Sequence, residues 1–233
     1  MEFLTKMALA FEHGGFWMWA ILAFQVASIA IIIERAIALF AKRKIDQMEL
    51  VKSFEENVRR GEFEIVMQKA EAAKATSPVA RAIAAGATAA RNFGGKEEIQ
   101  GKMDEVLLHE NGLLDKRVGF LAMLGNVATL TGLLGTITGM IKSFAAVSNA
   151  NPAEKASLLA AGIAEAMNAT AFGLIVAIPA LIAFAVMQNR ANELAEDINQ
   201  SALKAFNWLS YSYDPISAKA QGGKSSRSPE ANA

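Results

Sequence analysis

The chain has 233 residues, 53% of them hydrophobic and 20% charged, with 23 basic and 23 acidic side chains and no formal net charge. Zero net charge supplies no global field for nucleic acid, and the lack of cysteine excludes disulfides, thiolate metal sites and a cysteine nucleophile. Charge is also unevenly spread: none occurs from Gly14 to Ile33, from Val118 to Ile141 or from Ala166 to Asn189, each gap at least 20 residues long. Runs of that length cross a ~30 Å hydrocarbon core as helices. The pattern predicts an all-α, polytopic membrane protein with three transmembrane helices. His13 and His109 are the only imidazoles and lie far apart in sequence, so neither a metal site nor a cofactor is expected.

Residues 1–13 place Phe3, Leu4, Met7 and Phe11 at helical spacing among Glu2, Thr5, Lys6 and Glu12, the pattern of an amphipathic helix on a membrane surface. Span one covers 14–36. It is too long for a signal-peptide core, has no small-x-small cleavage site and ends at Glu34-Arg35, so it is expected to be retained. Trp17 and Trp19 fall at its outer end, where indoles favour the headgroup region.

Residues 37–117 are charged, balanced and rich in helix signals. Gly61 interrupts the first stretch, and Ser77-Pro78 supplies an N-cap followed by proline at the first helical position. Gly94-Gly95 ends that helix. The next begins near Lys96 and is expected to run without a break into span two, 118–144. A periplasmic loop, 145–160, leads to span three, 161–188. Beyond it, Leu194, Ile198, Ala202, Ala205 and Leu209 mark an amphipathic helix over 189–213. Spans two and three thus extend into a cytoplasmic helical bundle. The tail, 214–233, is Pro, Ser, Gly, Lys and Ala, which bury too little to order themselves.

Lys and Arg gather on cytoplasmic flanks. Arg35, Lys42, Arg43, Lys44, Lys52, Lys102, Lys116, Arg117, Arg190 and Lys204 lie on one side, against Lys6, Lys142 and Lys155 on the other. The start of the chain is therefore expected in the periplasm, with the middle segment and the C-terminal helix in the cytoplasm.

Span two is more than an anchor. Gly125, Thr129, Gly132, Thr136, Gly139 and Ser143 recur every three or four residues and form one small or hydroxylated stripe. Gly135 flanks it. Span three answers with Ala166, Ala169, Thr170, Gly173, Ala177 and Ala180, and with Pro179, which removes a backbone bond to Ile175. Counted inward from Phe144 and Ala161, Thr136 and Thr170 lie at matched depths of roughly 12–13 Å at 1.5 Å per residue. Glu165 sits further out, at the edge of the membrane, where a carboxylate needs water or a partner. Tight helix packing is the plainer reading of the stripes, and an interfacial carboxylate that of Glu165. No charged residue or histidine lies deep in any span, so a partner must supply any mid-membrane proton carrier.

The run Gly132-Leu133-Leu134-Gly135-Thr136-Ile137-Thr138-Gly139-Met140-Ile141 with Phe144, and the run from Gly162 to Ala180, resemble the second- and third-span motifs of the ExbB/TolQ family, proton-channel subunits related to flagellar stators. The likeness is strong over 119–187. It implies a homo-oligomeric ring, pentameric in the family, whose second and third spans line a pore. That pore would hold the helices of an ExbD/TolR-like dimer, each bearing one transmembrane aspartate. Proton flow would drive movement of that partner, coupling proton motive force to TonB-type transport or Tol-type envelope maintenance, with a TonB- or TolA-like protein as an open further partner. Thr136, Glu165 and Thr170 match the family's polar pore residues, while Gly125, Thr129, Gly132, Gly135, Gly139, Gly173 and Pro179 are read from their spacing as packing the pore helices.

Alternatives are a stator-like or gliding motor subunit, although stators have four spans, and a non-conducting membrane scaffold. An enzyme is not expected, since no nucleophile–base pair is visible. Three decoys fail. Gly223-Lys224-Ser225 lacks the first glycine of a phosphate loop, His109-Glu110 has Leu113 where a zinc helix needs histidine, and Asn168-Ala169-Thr170 lies within a span.

Overall fold

A computed structural model describes residues 16–41, 47–60, 62–75, 77–92, 95–148 and 150–210. The expected surface helix over 1–13, the basic run Lys42-Arg43-Lys44, the breaks at Gly61 and Gly94 and the tail from Asp214 lie outside the described residues. Those described are helical, without strands: α1 Trp17–Ala36, continued by a π-helical turn Ile37–Ala41, α2 Gln47–Arg59, α3 Phe63–Ala73, α4 Pro78–Arg91, α5 Lys96–Asp115, α6 Val118–Ser148 and α7 Pro152–Ser210. Three stretches, Trp17–Phe40, Lys96–Ser148 and Pro152–Ser210, are long and apolar enough to cross a membrane. The fold class read from the charge gaps is the one observed.

The expectation of an unbroken helix from Lys96 into span two needs correction. Lys116 and Arg117 form a turn between α5 and α6, and Arg117 has a left-handed φ of 64°. That conformation costs an L-residue about 1–2 kcal/mol. It is held by an ion pair in which one guanidinium nitrogen of Arg117, Nη1, donates to both carboxylate oxygens of Glu34 at 2.6 and 2.7 Å. No glycine occupies either turn position, so no local signal marks the break.

Most of the stretch expected as a loop, 145–160, is helical, since α6 runs to Ser148 and α7 starts at Pro152. Proline at the first helical position loses no bond there, and the Asn151 carbonyl accepts from the Glu154 and Lys155 amides at 2.9 and 3.2 Å. From Pro152, α7 continues for 59 residues through Pro179.

The chain forms two compact units, one from the described part of 1–42 with 115–191, the other from that of 43–114 with 192–233. In the second unit, Val51, Phe54, Ile83, Ile99, Met103, Ile198 and Leu209 are buried. Ser77 starts α4, its hydroxyl accepting from the Ala80 amide at 3.2 Å and donating to Gln47 at 2.6 Å. Glu110, almost wholly buried, accepts from Arg81 at 2.9 Å. Leu194, Ile198, Ala202, Ala205 and Leu209 are all buried there, as their spacing requires. In the first unit, Ile21 of α1, Ala128 of α6 and Val176 of α7 meet in one apolar cluster flanked by Phe24.

Candidate functional site: the seam between α6 and α7

Without a hydrophobic drive between helices in lipid, close association requires residues small enough to let backbones touch. The seam between α6 and α7 is built this way. A methyl group added at Gly132 would lie 3.0 Å from the Ala169 carbonyl and 3.2 Å from the Gly173 Cα, and one added at Gly173 would lie 2.8 Å from the Ala128 carbonyl. At Gly139 it would meet Ala166 at 3.0 Å, at Gly135 the Ala169 methyl at 2.6 Å, and at Gly125 the Leu181 side chain at 3.0 Å. Gly162 of α7 closes tightly on Ser143 of α6. The glycine stripe is thus in direct contact with the small residues of α7.

Halfway along this seam are two hydroxyls. The Thr136 hydroxyl lies within reach of the Gly132 carbonyl at 3.3 Å and of the Ala166 carbonyl across the seam at 3.2 Å. The Thr170 hydroxyl reaches the same Gly132 carbonyl at 3.1 Å. The two hydroxyls are also hydrogen-bonded to each other. Gly132 has no side chain to shield its carbonyl, which is why Thr170 on the other helix can reach it. Both threonines are half-buried. The pair is therefore a polar spot in an apolar seam, open on one side.

Other residues of the expected site fall differently. Thr129 does not cross the seam, and its hydroxyl bonds back to the Gly125 carbonyl of its own helix at 3.1 Å. Pro179 is exposed and lies within an uninterrupted helix, as does the exposed Ile175. Glu165 is half-buried and lines a cavity of about 490 Å³ together with Lys142, Ser143, Gly162 and Asn168. That cavity opens about one turn outward from the threonine pair.

Two features were missed by spacing alone. Trp17, expected at the headgroups, donates from its indole nitrogen to the Thr138 hydroxyl of α6 at 2.9 Å. Thr131, Gly135 and Thr138 form a second stripe of small residues beside the first, a signal that the sequence did carry. At the other end, Glu34 pairs with Arg35 at 2.9 Å as well as with Arg117. Charges at a span's end looked like topology markers, and nothing in the pattern says that they join two helices.

The model of the MotA/TolQ/ExbB proton channel family matches residues 66–200, more than half of the chain. The chain belongs to this family. Its match includes both seam helices and the threonine pair. Among curated proteins, the chain is 43% identical over 84 residues to the Tol-Pal system protein TolQ of Haemophilus influenzae, covering 36% of each. It is 34% identical over 91 residues to the biopolymer transport protein ExbB of Pseudomonas putida, covering 39% of this chain and 27% of that one. With ExbB of Salmonella typhimurium the figures are 33% over 93 residues, 40% and 38%. The chain thus spans about a third of the length of the curated relatives it matches. Family and apolar helices together make it a multi-pass inner-membrane protein.

Proposed function

We propose that this chain is the ring-forming subunit of a channel that converts proton motive force into movement of an ExbD/TolR-like partner, in TonB-type transport or Tol-type envelope maintenance. The single observation that carries the reading is the Thr136–Thr170 pair, two hydroxyls from different helices sharing the Gly132 carbonyl in an otherwise apolar seam. Hydroxyls are both donors and acceptors, so they can solvate a carboxylate in either protonation state. This chain has no ionisable residue at that depth, so the carboxylate would be the partner's transmembrane aspartate. Thr136 and Thr170 would form a collar around it, and Glu165 would draw cations into the outer cavity. Each proton entering across the membrane releases ~2.3 kcal/mol per 100 mV, so a few protons suffice for a conformational step. The names of the relatives, a Tol-Pal system protein and biopolymer transport proteins, support the same pairing of systems. The Lys and Arg bias supports a periplasmic start and a cytoplasmic second unit.

One observation favours a second reading, a non-conducting scaffold: both hydroxyls already have acceptors within the chain, at the Gly132 and Ala166 carbonyls. Proton flux separates the two. With an ExbD/TolR-like partner co-expressed, the Thr136→Val, Thr170→Val double variant keeps its shape, assembles to the wild-type level and loses most of its flux. Wild-type flux in that variant removes both residues from the mechanism and leaves packing as their role.

A further inference from the structure

The outer end of span one contacts α6 on both sides of Thr136, at Gly135 and at Thr138. Trp17 is half-buried, whereas Trp19 two residues on is 65% exposed. The Trp17 indole is set edge-on against Phe16, with centroids 5.6 Å apart. An indole has a single polar hydrogen and no acceptor, and here it is given to the Thr138 hydroxyl at 2.9 Å. Thr138 in turn can donate only backwards, to the Leu134 or Gly135 carbonyl at 3.0 and 3.1 Å, which leaves an acceptor lone pair for the indole.

The same tryptophan grips Gly135. A methyl group there would lie 3.5 Å from the Trp17 Cβ and 3.7 Å from its Cδ1, and on its other side 2.6 Å from the Ala169 methyl of α7. Gly135 is therefore clamped between α1 and α7, and Thr136 is the next residue. Below this level α1 meets α6 and α7 through apolar side chains, Ile21 with Ala128 and Val176, and its next polar tie, Glu34 with Arg117, is at the opposite end of the span. Apolar contacts between helices in lipid leave sliding and rotation weakly specified, whereas a hydrogen bond in low dielectric fixes both. Thr136 has little slack to absorb such a slip, since its bonds to Gly132 and Ala166 are already 3.3 and 3.2 Å long, near the outer limit for a hydroxyl.

We propose that Trp17 is a positioning residue: bonded to Thr138 and seated on Gly135, it sets the rotation and depth at which α6 presents Thr136 to Thr170. The inference rests on the reading of that pair as the collar around the partner's carboxylate.

The test measures proton flux in the full chain with its ExbD/TolR-like partner, alongside ring abundance and thermal stability. Trp17→Phe keeps a ring and deletes the N–H, Thr138→Val keeps shape and deletes the acceptor, and Thr138→Ser restores it. Trp17→Phe and Thr138→Val each lower flux by about three- to tenfold, the effect of one lost hydrogen bond of ~1 kcal/mol. Ring abundance stays at the wild-type value. The double variant is no worse than either single one, and Thr138→Ser conducts like wild type. Wild-type flux in either Trp17→Phe or Thr138→Val overturns the proposal. So does a flux loss that tracks loss of assembled ring, an additive double variant, or a Thr138→Ser as poor as Thr138→Val. Full flux in the Thr136→Val, Thr170→Val variant instead removes the collar itself, while a dead collar variant beside fully active Trp17→Phe removes only the positioning role.

Discussion

The unit containing α2 to α5 buries its large side chains: Phe54, Ile83, Ile99, Met103, Ile198 and Leu209 are almost wholly inaccessible, together with one charged residue, Glu110, which is paired with Arg81. In the unit of the seam, glycine and alanine meet at the contact between α6 and α7, and Leu130, Leu133, Ile137, Phe144, Ile178 and Ile182 point away from it. The difference follows from what surrounds each unit. Water rewards burial of large apolar surface. Lipid does not, so helices there gain most from close backbone approach and from polar groups that find each other. A hydroxyl pair placed in the second kind of contact is costly to leave unpaired, and this makes the Thr136–Thr170 spot informative about function, whereas a threonine in the first unit would not be.

Substituting each unit with the residue suited to the other tests this contrast most directly. Gly173→Val has the largest expected effect, because its Cβ would meet the Ala128 carbonyl and the Gly132 Cα, which are backbone and cannot give way. Assembled protein recovered from the membrane should fall to near zero, as measured by native mass spectrometry with lipid retained. Phe54→Ala comes next. It empties a fully buried site in the other unit and should lower stability by about 3–5 kcal/mol, read as a fall in thermal midpoint with the seam variants as reference. Membrane insertion should persist, since the three apolar stretches are untouched. The smallest effect is expected at Gly101 of α5, where an added methyl meets nothing within 4 Å. Gly101→Ala should stabilise by about 1 kcal/mol or less through helix propensity alone. A strongly destabilising Gly101→Ala would show that glycine serves packing in both units and would erase the distinction.

The same physics explains how far residue order could be read. Spans are legible because hydrocarbon tolerates no charge, so three uncharged gaps suffice to locate three helices. The Gly125-to-Ser143 stripe is legible because helical periodicity brings residues three and four apart onto one face, and the start at Ser77-Pro78 because capping chemistry is local. The break at Arg117 was not, because a left-handed residue without glycine is held by Glu34, a residue 83 positions away.

By itself, then, the sequence determined the all-α class, the spans and which faces are small, all consequences of solvent and local geometry that any segment feels alone. Only the tertiary structure decided which of those residues meet. It joined Thr136 and Thr170 over one carbonyl, left Thr129 bonded to its own helix, left Pro179 exposed and bonded Trp17 to Thr138. Such pairings depend on the rotation and depth of one helix against another. Those are set by the sum of many weak contacts between distant segments, which no local pattern in the chain encodes.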